Sequence, residues 1–494
     1  MAKSLSRQTL TIAIGTSVQS VLAQVALNVA LVRVLGSQED FGLFRQVWLI
    51  LNTVHPIFLI GVHFSIYYYL PRLPRDRERA FVLRSTTILF VSGAALAAGI
   101  YSLAPFLADL FSNPRLLSLF RAVSLYPLFT TPSALLFHFL IATDRATRAT
   151  VYNIVLFTAQ SVLIVCLVVV GMSLASVFLL LAAYAGLRFL FVAAETTRLS
   201  RGYWRASLPV GLRTQLRYAI PVGITATVTI AASRIDKFVV SSFMDSATYG
   251  LYSVGAIEFP IIVLISTAAA TVMRPKISQL HHAGRVDEIS VFWSGVFRKL
   301  LLIMAPMAAY LAVFAPQVIA FLYTPDYVAA TGIFRVYLLL TISRVVLFEP
   351  VLASMGRTRV VFLGGVGFLV VDVILNVLFV RGMGILGPPW ATALATVLLA
   401  GFYAWHGRQT LATPWSRLIS VGLLLRVCPI AGLAALAAVP VKELGRSNLV
   451  TLTAGAVVLG VVYVAAAYAT RTITREDFRL LASLVPAFRS RPSR

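Results

Sequence analysis

The chain carries one membrane-length pattern twice, and this duplication limits what it can fold into. Ala104-Pro105 recurs as Ala315-Pro316, Asn113-Pro114 as Thr324-Pro325, Thr147-Arg148 as Thr358-Arg359 and Gly171-Met172 as Gly382-Met383, each pair 211 residues apart. Toward the N-terminus the match continues with small slips in loop length. Phe41-Gly42-Leu43-Phe44 pairs with Tyr249-Gly250-Leu251-Tyr252, and Pro56 and Pro71 pair with Pro260 and Pro275. Between these markers lie apolar runs of about 20 to 28 residues, long enough to cross a bilayer as helices and too long for barrel strands. Such repeats supply a transporter with two lobes that rock about a shared midplane site, whereas a membrane enzyme has no need of pseudo-symmetry.

Composition points the same way. With 59% hydrophobic and 12% charged residues and a mean hydropathy of +0.88, the chain is too apolar for a soluble domain. Helices satisfy their backbone polar groups internally, so the expected class is an all-α integral membrane protein. Hydropathy predicts about fourteen spans between residues 9 and 470. The ones that matter below run roughly over 9–33, 41–69, 117–141, 214–241, 247–273 and 328–354, the first, second, fourth, seventh, eighth and tenth. Six helices per repeat make two like-oriented pseudo-symmetric lobes, 1–200 and 201–412, followed by two helices in 413–470 and a basic tail, 471–494.

The net charge of +24 raises nucleic acid as a partner, but the placement of the charge excludes it. Arginines and lysines crowd alternate loops, from Lys3 and Arg7 through Arg72–Arg79, Arg198–Arg213 and Arg274–Arg285 to the tail, while the other side holds little beyond Arg115, Arg381, Lys442 and Arg446. That asymmetry marks the cytoplasmic side and predicts both termini there. Lys3 and Arg7 before an apolar stretch resemble a secretory signal, yet the match to the helix before Gly250 argues that the segment is retained. Cys166 and Cys428 sit in apolar runs and are expected to be buried thiols. The segment from Gly284 to Glu288 reads as a turn entering a helix with acids in its first turn.

Charges inside spans are the candidate functional residues, because each is unfavourable in hydrocarbon by roughly 2.5–3.5 kcal/mol even on the mildest scale. Ser233-Arg234-Ile235-Asp236-Lys237 lies in the seventh span, Glu258 in the eighth, Arg335 and Arg344 in the tenth, and Asp372 with Asn376 one helical turn apart in the eleventh. Phe120-Arg121 corresponds to Phe334-Arg335. The two arginines either face a common cavity, where guanidinium forks suit phosphate oxygens, or snorkel at the outer interface. Asp236, beside Arg234 and Lys237, is an internal ion pair or a coupling carboxylate, and Glu258, without a neighbour in sequence, is the leading coupling candidate. His55, His63 and His138 stand alone on apolar faces and read as packed or interfacial. Pro56 and Pro260 fall near the middle of the second helix of each repeat, as hinges or as prolines that a membrane helix tolerates.

No phosphate-binding loop, His-Glu-x-x-His or Cys-x-x-Cys is present, so no cofactor, metal or enzymatic chemistry is expected. Gly364-Gly365-Val366-Gly367 lies within a span and reads as close helix packing.

The paired Phe41–Phe44 and Tyr249–Tyr252 motifs, Arg234-Ile235-Asp236-Lys237 before the second, and Arg274-Pro275-Lys276-Ile277 closing the eighth helix resemble those of Wzx-type polysaccharide flippases of the multidrug/oligosaccharidyl-lipid/polysaccharide exporter superfamily. The resemblance covers most of residues 5–470. It implies a V-shaped two-lobe transporter of the bacterial inner membrane that moves undecaprenyl-pyrophosphate-linked oligosaccharides to the outer leaflet through a cationic cavity. Lipid-linked oligosaccharide, membrane lipids, a polysaccharide polymerase and a chain-length regulator are the partners this implies. By helix and depth, Arg234, Lys237, Arg335 and Arg344 match the cavity positions, and the N-lobe offers Arg33, Arg45 and Arg121. Two other readings stay open: a cation-coupled drug exporter of the same superfamily, and a membrane glycan polymerase, which usually needs a large outer catalytic loop.

Overall fold

The structure, a computed structural model, describes residues 25–444 and 447–473. Lys3, Arg7, the first part of the first expected span and the basic tail beyond Ile473 lie outside the described residues. Every regular element among those described is helical. The first repeat contains α1 (Leu27–Leu35), α2 (Gln38–Phe58), α3 (Val62–Tyr69), α4 (Glu78–Leu110), α5 (Arg115–Val123), α6 (Tyr126–Ala142), α7 (Ala146–Val169) and α8 (Leu174–Leu199). After the connector come α9 (Leu212–Ala232), α10 (Ile235–Phe243), α11 (Ser246–Gly255), α12 (Pro260–His282), α13 (Val286–Val313) and α14 (Ala315–Leu322). Then follow α15 (Thr331–Tyr337), α16 (Thr341–Val345), α17 (Glu349–Ser354), α18 (Thr358–Met383), α19 (Gly387–Leu411), α20 (Trp415–Leu418), α21 (Val421–Ala437) and α22 (Asn448–Ala469).

Nine helical stretches among the described residues are long and apolar enough to cross a membrane, or eleven when two bent pairs each count as one span. The expected count of fourteen is not confirmed among the described residues. The first span falls largely outside the described residues. The seventh is interrupted at Ser233-Arg234, between α9 and α10. The eleventh and twelfth merge into one stretch, 358–411, although the Asn376 side chain reaches Thr392 Oγ1 (3.4 Å) across the turn between α18 and α19.

Several helices expected to be continuous are broken. The second bends by 41° between α2 and α3, and the fourth by 42° between α5 and α6. Pro56 lies inside α2 near its C-terminus, where it deprives the Asn52 carbonyl of its donor. The break itself follows at Ile60 (φ 49°) and Gly61 (φ 64°), both left-handed. Gly61 is required there twice over, because a Cβ would also lie 2.7 Å from the Gly223 amide nitrogen of α9. Pro260 is not mid-helix as expected. The eighth helix is broken at 256–259, and Pro260 begins α12 at a position where a missing N–H costs nothing. The tenth is divided into α15, α16 and α17.

Local signals explain where the helices start. Ser37 accepts a hydrogen bond from the Asp40 amide (3.3 Å) at the start of α2, and Asp245 accepts one from Thr248 (2.7 Å) at the start of α11. These caps occupy matching places in the two repeats. α13 begins after Gly284 (φ 71°) with Asp287 and Glu288 in its first turn, as the sequence predicts.

The chain divides into two compact units. Unit 1 comprises Met1–Ala256 and Gly365–Ala395, and unit 2 comprises Ile257–Gly364 and Thr396–Arg494. In unit 1, Val62 and Ile66 of α3 pack with Phe81 of α4 and with Leu135 and Phe139 of α6, all buried. The repeated tetrapeptides meet here as well, since α2 and α11 cross at Gly42 and Gly250. A Cβ on Gly250 would lie 2.5 Å from the Gln38 carbonyl, and one on Gly42 would overlap that of Ser246. Phe41, Phe44, Tyr249 and Tyr252 are buried around the crossing.

In unit 2, Trp293 of α13 stacks on Phe348 with ring centroids 4.1 Å apart and donates its indole N–H to the Leu347 carbonyl (3.0 Å). That bond satisfies the one polar atom of a ring whose burial supplies a few kcal/mol, roughly 1.5–3 for a large apolar side chain. Gly364 abuts the Tyr403 ring, as close helix packing requires. Cys166 and Cys428, expected to be buried, are exposed. An apolar run marks a span without saying which of its faces meets lipid.

Candidate functional site

Unit 1 gathers five of the expected site residues. Arg234 caps α10 at the break after α9, which frees Asp236 and Lys237 to begin a new helix. Asp236 is buried, 2% exposed, and its Oδ2 accepts from Lys237 Nζ (3.1 Å) and from the Tyr252 hydroxyl (2.8 Å). Asp372 of α18 is completely buried. Its Oδ1 accepts from Asn376 Nδ2 at 2.8 Å, its Oδ2 has no hydrogen-bond partner, and it feels the charges of Asp236 and Lys237.

Arg45 of α2 lies near enough to this group for its charge to reach Arg234. Its Nη1 donates to Asn28 Oδ1 (3.2 Å), and its guanidinium repels that of Arg234. The Nε atoms of Arg45 and Arg234 are both buried without an acceptor. Two like charges with unsatisfied donors are costly to keep together, and Asp236, whose charge also reaches Arg234, offsets part of that cost.

Unit 2 brings together two residues expected in different roles. Arg344, a substrate candidate, donates from Nε and Nη2 to Glu258 Oε2 (2.6 Å) and Oε1 (2.7 Å), and Glu258 was the coupling candidate. The helix break at 256–259 turns Glu258 toward its partner. Arg335 is exposed and donates from Nε to the Ala312 carbonyl (2.9 Å), with Lys442 near enough to repel it. Arg121, its counterpart in unit 1, is likewise exposed and lies over the Tyr101 ring at 5.6 Å. Glu349 pairs with Arg274 (2.9 Å).

The histidines are not isolated. The rings of His63 and His138 lie 4.6 Å apart, and His138 Nδ1 is 2.8 Å from the Tyr67 hydroxyl. Neither Tyr252 nor Thr392 stood out in the sequence, although Tyr252 stands in the repeated tetrapeptide. Nor did the link from Arg115 to Glu39 (2.9 Å) and Asp40 (2.6 Å), which ties α5 to the first turn of α2.

A family model described as "Polysaccharide biosynthesis protein" matches residues 30–331, more than half of the chain. An uncharacterized membrane protein of Methanocaldococcus jannaschii is 26% identical over 195 residues, 38% of this chain and 45% of that protein. The chain thus spans about half the length of the curated relative it matches.

Among solved structures, lipid II flippase MurJ in an inward closed conformation superposes with a TM-score of 0.71 at 13% identity, covering 93% of this chain and 99% of that one. An inward-facing multidrug resistance MATE family transporter of the MOP superfamily gives 0.64 at 14% identity, covering 83% and 98%. A MOP superfamily transporter from Pyrococcus furiosus, described by the reverse polarity of its binding pocket, gives 0.57 at 16% identity, covering 83% and 96%. At these identities the likeness is one of fold, that of a multi-pass membrane transporter. With its family model extending over 30–331, the chain belongs to the polysaccharide biosynthesis protein family.

Proposed function

We propose that the chain flips a polyprenyl-pyrophosphate-linked oligosaccharide from the inner to the outer leaflet by alternating access, for export of O-antigen, capsule or exopolysaccharide. Its family and its flippase-like fold support this reading. The observation that carries it is the pair of mutually repelling guanidiniums, Arg45 and Arg234, each with a buried donor lacking an acceptor. A pyrophosphate supplies acceptors and negative charge in the form that planar guanidinium forks bind best. In this reading Lys237 and Arg121 add cationic charge in unit 1, and Arg335 and Arg344 add it in unit 2. The sugar travels with the headgroup while the polyprenyl chain stays in the bilayer.

The pseudo-symmetric lobes 1–200 and 201–412 do the rocking, with the chain breaks beside Pro56 and Pro260 as hinges. Asp236, Asp372 and Glu258 couple the cycle to an ion or hold the cations as ion pairs. The protein works in the inner membrane with both termini in the cytoplasm, alongside a polymerase and a chain-length regulator. Purified protein in liposomes should move a lipid-pyrophosphate oligosaccharide, and Arg234→Ala or Arg335→Ala should slow it. Unchanged rates in both variants would remove the assigned site.

One observation favours a second reading, a cation-coupled multidrug exporter: two buried carboxylates, Asp236 and Asp372, lie within reach of each other's field. Resistance profiling of an overexpressing strain separates the two. Raised tolerance to cationic drugs with no change in surface glycan would favour the exporter.

A further inference from the structure

A cavity of about 360 Å³ opens in unit 2 where three helices meet. Its wall carries Ser294 and Arg298 of α13, Arg417 of α20, Arg426 of α21, and Arg471 and Thr472 just after α22. Four guanidiniums thus border one space, and no carboxylate lines it among the described residues. The cluster is held in place by the fold. Ser294 and Arg298 are one helical turn apart, and Arg298 Nη2 donates to the Thr472 carbonyl (3.0 Å), tying α13 to the segment after α22. Arg417, Arg426 and Arg471 are exposed. Arginines gathered around one space repel each other, and an anion seated among them offsets that repulsion while its oxygens accept their paired N–H groups. The volume suits a headgroup-sized ligand.

The surroundings indicate where such an anion comes from. On α21, Val421 and Leu425 flank Gly422 and Arg426 and are 61% and 70% exposed, as expected of side chains that meet lipid. Arg417 in α20 follows Arg408 in the last turn of α19, at the end of the span that the arginine excess marks as cytoplasmic, the leaflet rich in anionic lipid. We propose that this cavity binds the phosphate headgroup of an anionic lipid of the inner leaflet, its acyl chains lying along the apolar face of α21. The inference does not depend on what the protein transports.

The test is thermal unfolding of the full-length protein in neutral detergent, titrated separately with dioctanoyl phosphatidylglycerol, dioctanoyl phosphatidylcholine and inorganic phosphate. The glycerol lipid should raise Tm saturably and the choline lipid should not. Arg417→Gln with Arg426→Gln should weaken the response by at least about tenfold through the lost charge-assisted hydrogen bonds. If that double variant does not fold, Arg471→Gln alone should weaken it measurably. An equal response to the choline lipid, or undiminished affinity in the variants, would overturn the proposal. Protection by inorganic phosphate equal to that by the glycerol lipid would assign the cavity to a soluble anion instead. If lipid binds only after Glu476→Gln with Asp477→Asn, the chain's own carboxylates fill the site and the lipid assignment fails.

Discussion

Arg344 holds Glu258 by two parallel hydrogen bonds of 2.6 and 2.7 Å, although 86 residues separate them in the chain. Both side chains are one-third exposed, so the pair is screened less than a surface bridge and desolvated less than a buried one. Glu258→Gln and Arg344→Met should each lower stability by about 1–3 kcal/mol, and the double variant should recover most of that loss. A double-mutant cycle of unfolding in detergent measures it. Strictly additive effects would show that the two residues do not depend on each other.

Asp236 accepts hydrogen bonds from Lys237 and Tyr252, which allows its two readings to be separated. If the carboxylate only neutralises Lys237, Asp236→Ala with Lys237→Ala should transport about as well as the parent, while Asp236→Ala alone is impaired by its unpaired cation. If it couples transport to an ion, both variants should lose about tenfold or more and the ion dependence should disappear. Transport in liposomes with and without an ion gradient reads the difference. Tyr252→Phe should give a milder loss in either case, since only one donor is removed.

Gly42 and Gly250 leave no room for a side chain between α2 and α11. Gly42→Val or Gly250→Val should force the helices apart, with a cost of at least about 1–3 kcal/mol from overpacking. The expected result is a large fall in monodisperse protein by fluorescence-detected gel filtration. Substitution of Gly99 or Gly401, whose Cβ positions meet nothing within 4 Å, should leave the profile unchanged.

The bend between α2 and α3 depends more on Gly61 than on Pro56. Gly61 combines a left-handed backbone with a close approach to Gly223, whereas Pro56 only removes a donor two residues before α2 ends. Gly61→Ala should therefore lower Tm more than Pro56→Ala. If Pro56→Ala halves transport without moving Tm, the proline acts in the motion itself. A transport rate equal to the parent's would confine it to local helix geometry.

The fold class was legible because apolar runs of membrane length admit few solutions, and the caps at Ser37 and Asp245 show in the sequence as a short polar residue before each repeated tetrapeptide. The helix breaks were not. A hydropathy window averages over Ser233-Arg234 or 256–259 and registers a single span, since two to four residues hardly change the mean. Pro260 misled for a related reason: proline in an apolar run is compatible with a kink or with a first helical residue, and tertiary packing decides between them. At the candidate site, sequence picked out Arg234, Asp236, Lys237 and Asp372 as charges that are costly against lipid, and the fold brings them close. It could not pair Glu258 with Arg344, because that contact depends on how distant helices pack. The cationic cavity of unit 2 escaped for the same reason, its arginines being spread over more than 170 residues.

The crossing at Gly42 and Gly250 is reciprocal: the glycine of each tetrapeptide sits against the carbonyl oxygen of the residue four places before the other, Gln38 in one case and Ser246 in the other. A contact whose two sides exchange roles is the kind that joins identical subunits about a twofold axis. Held within one chain, the same contact needs no second molecule, and its two sides are free to differ in sequence.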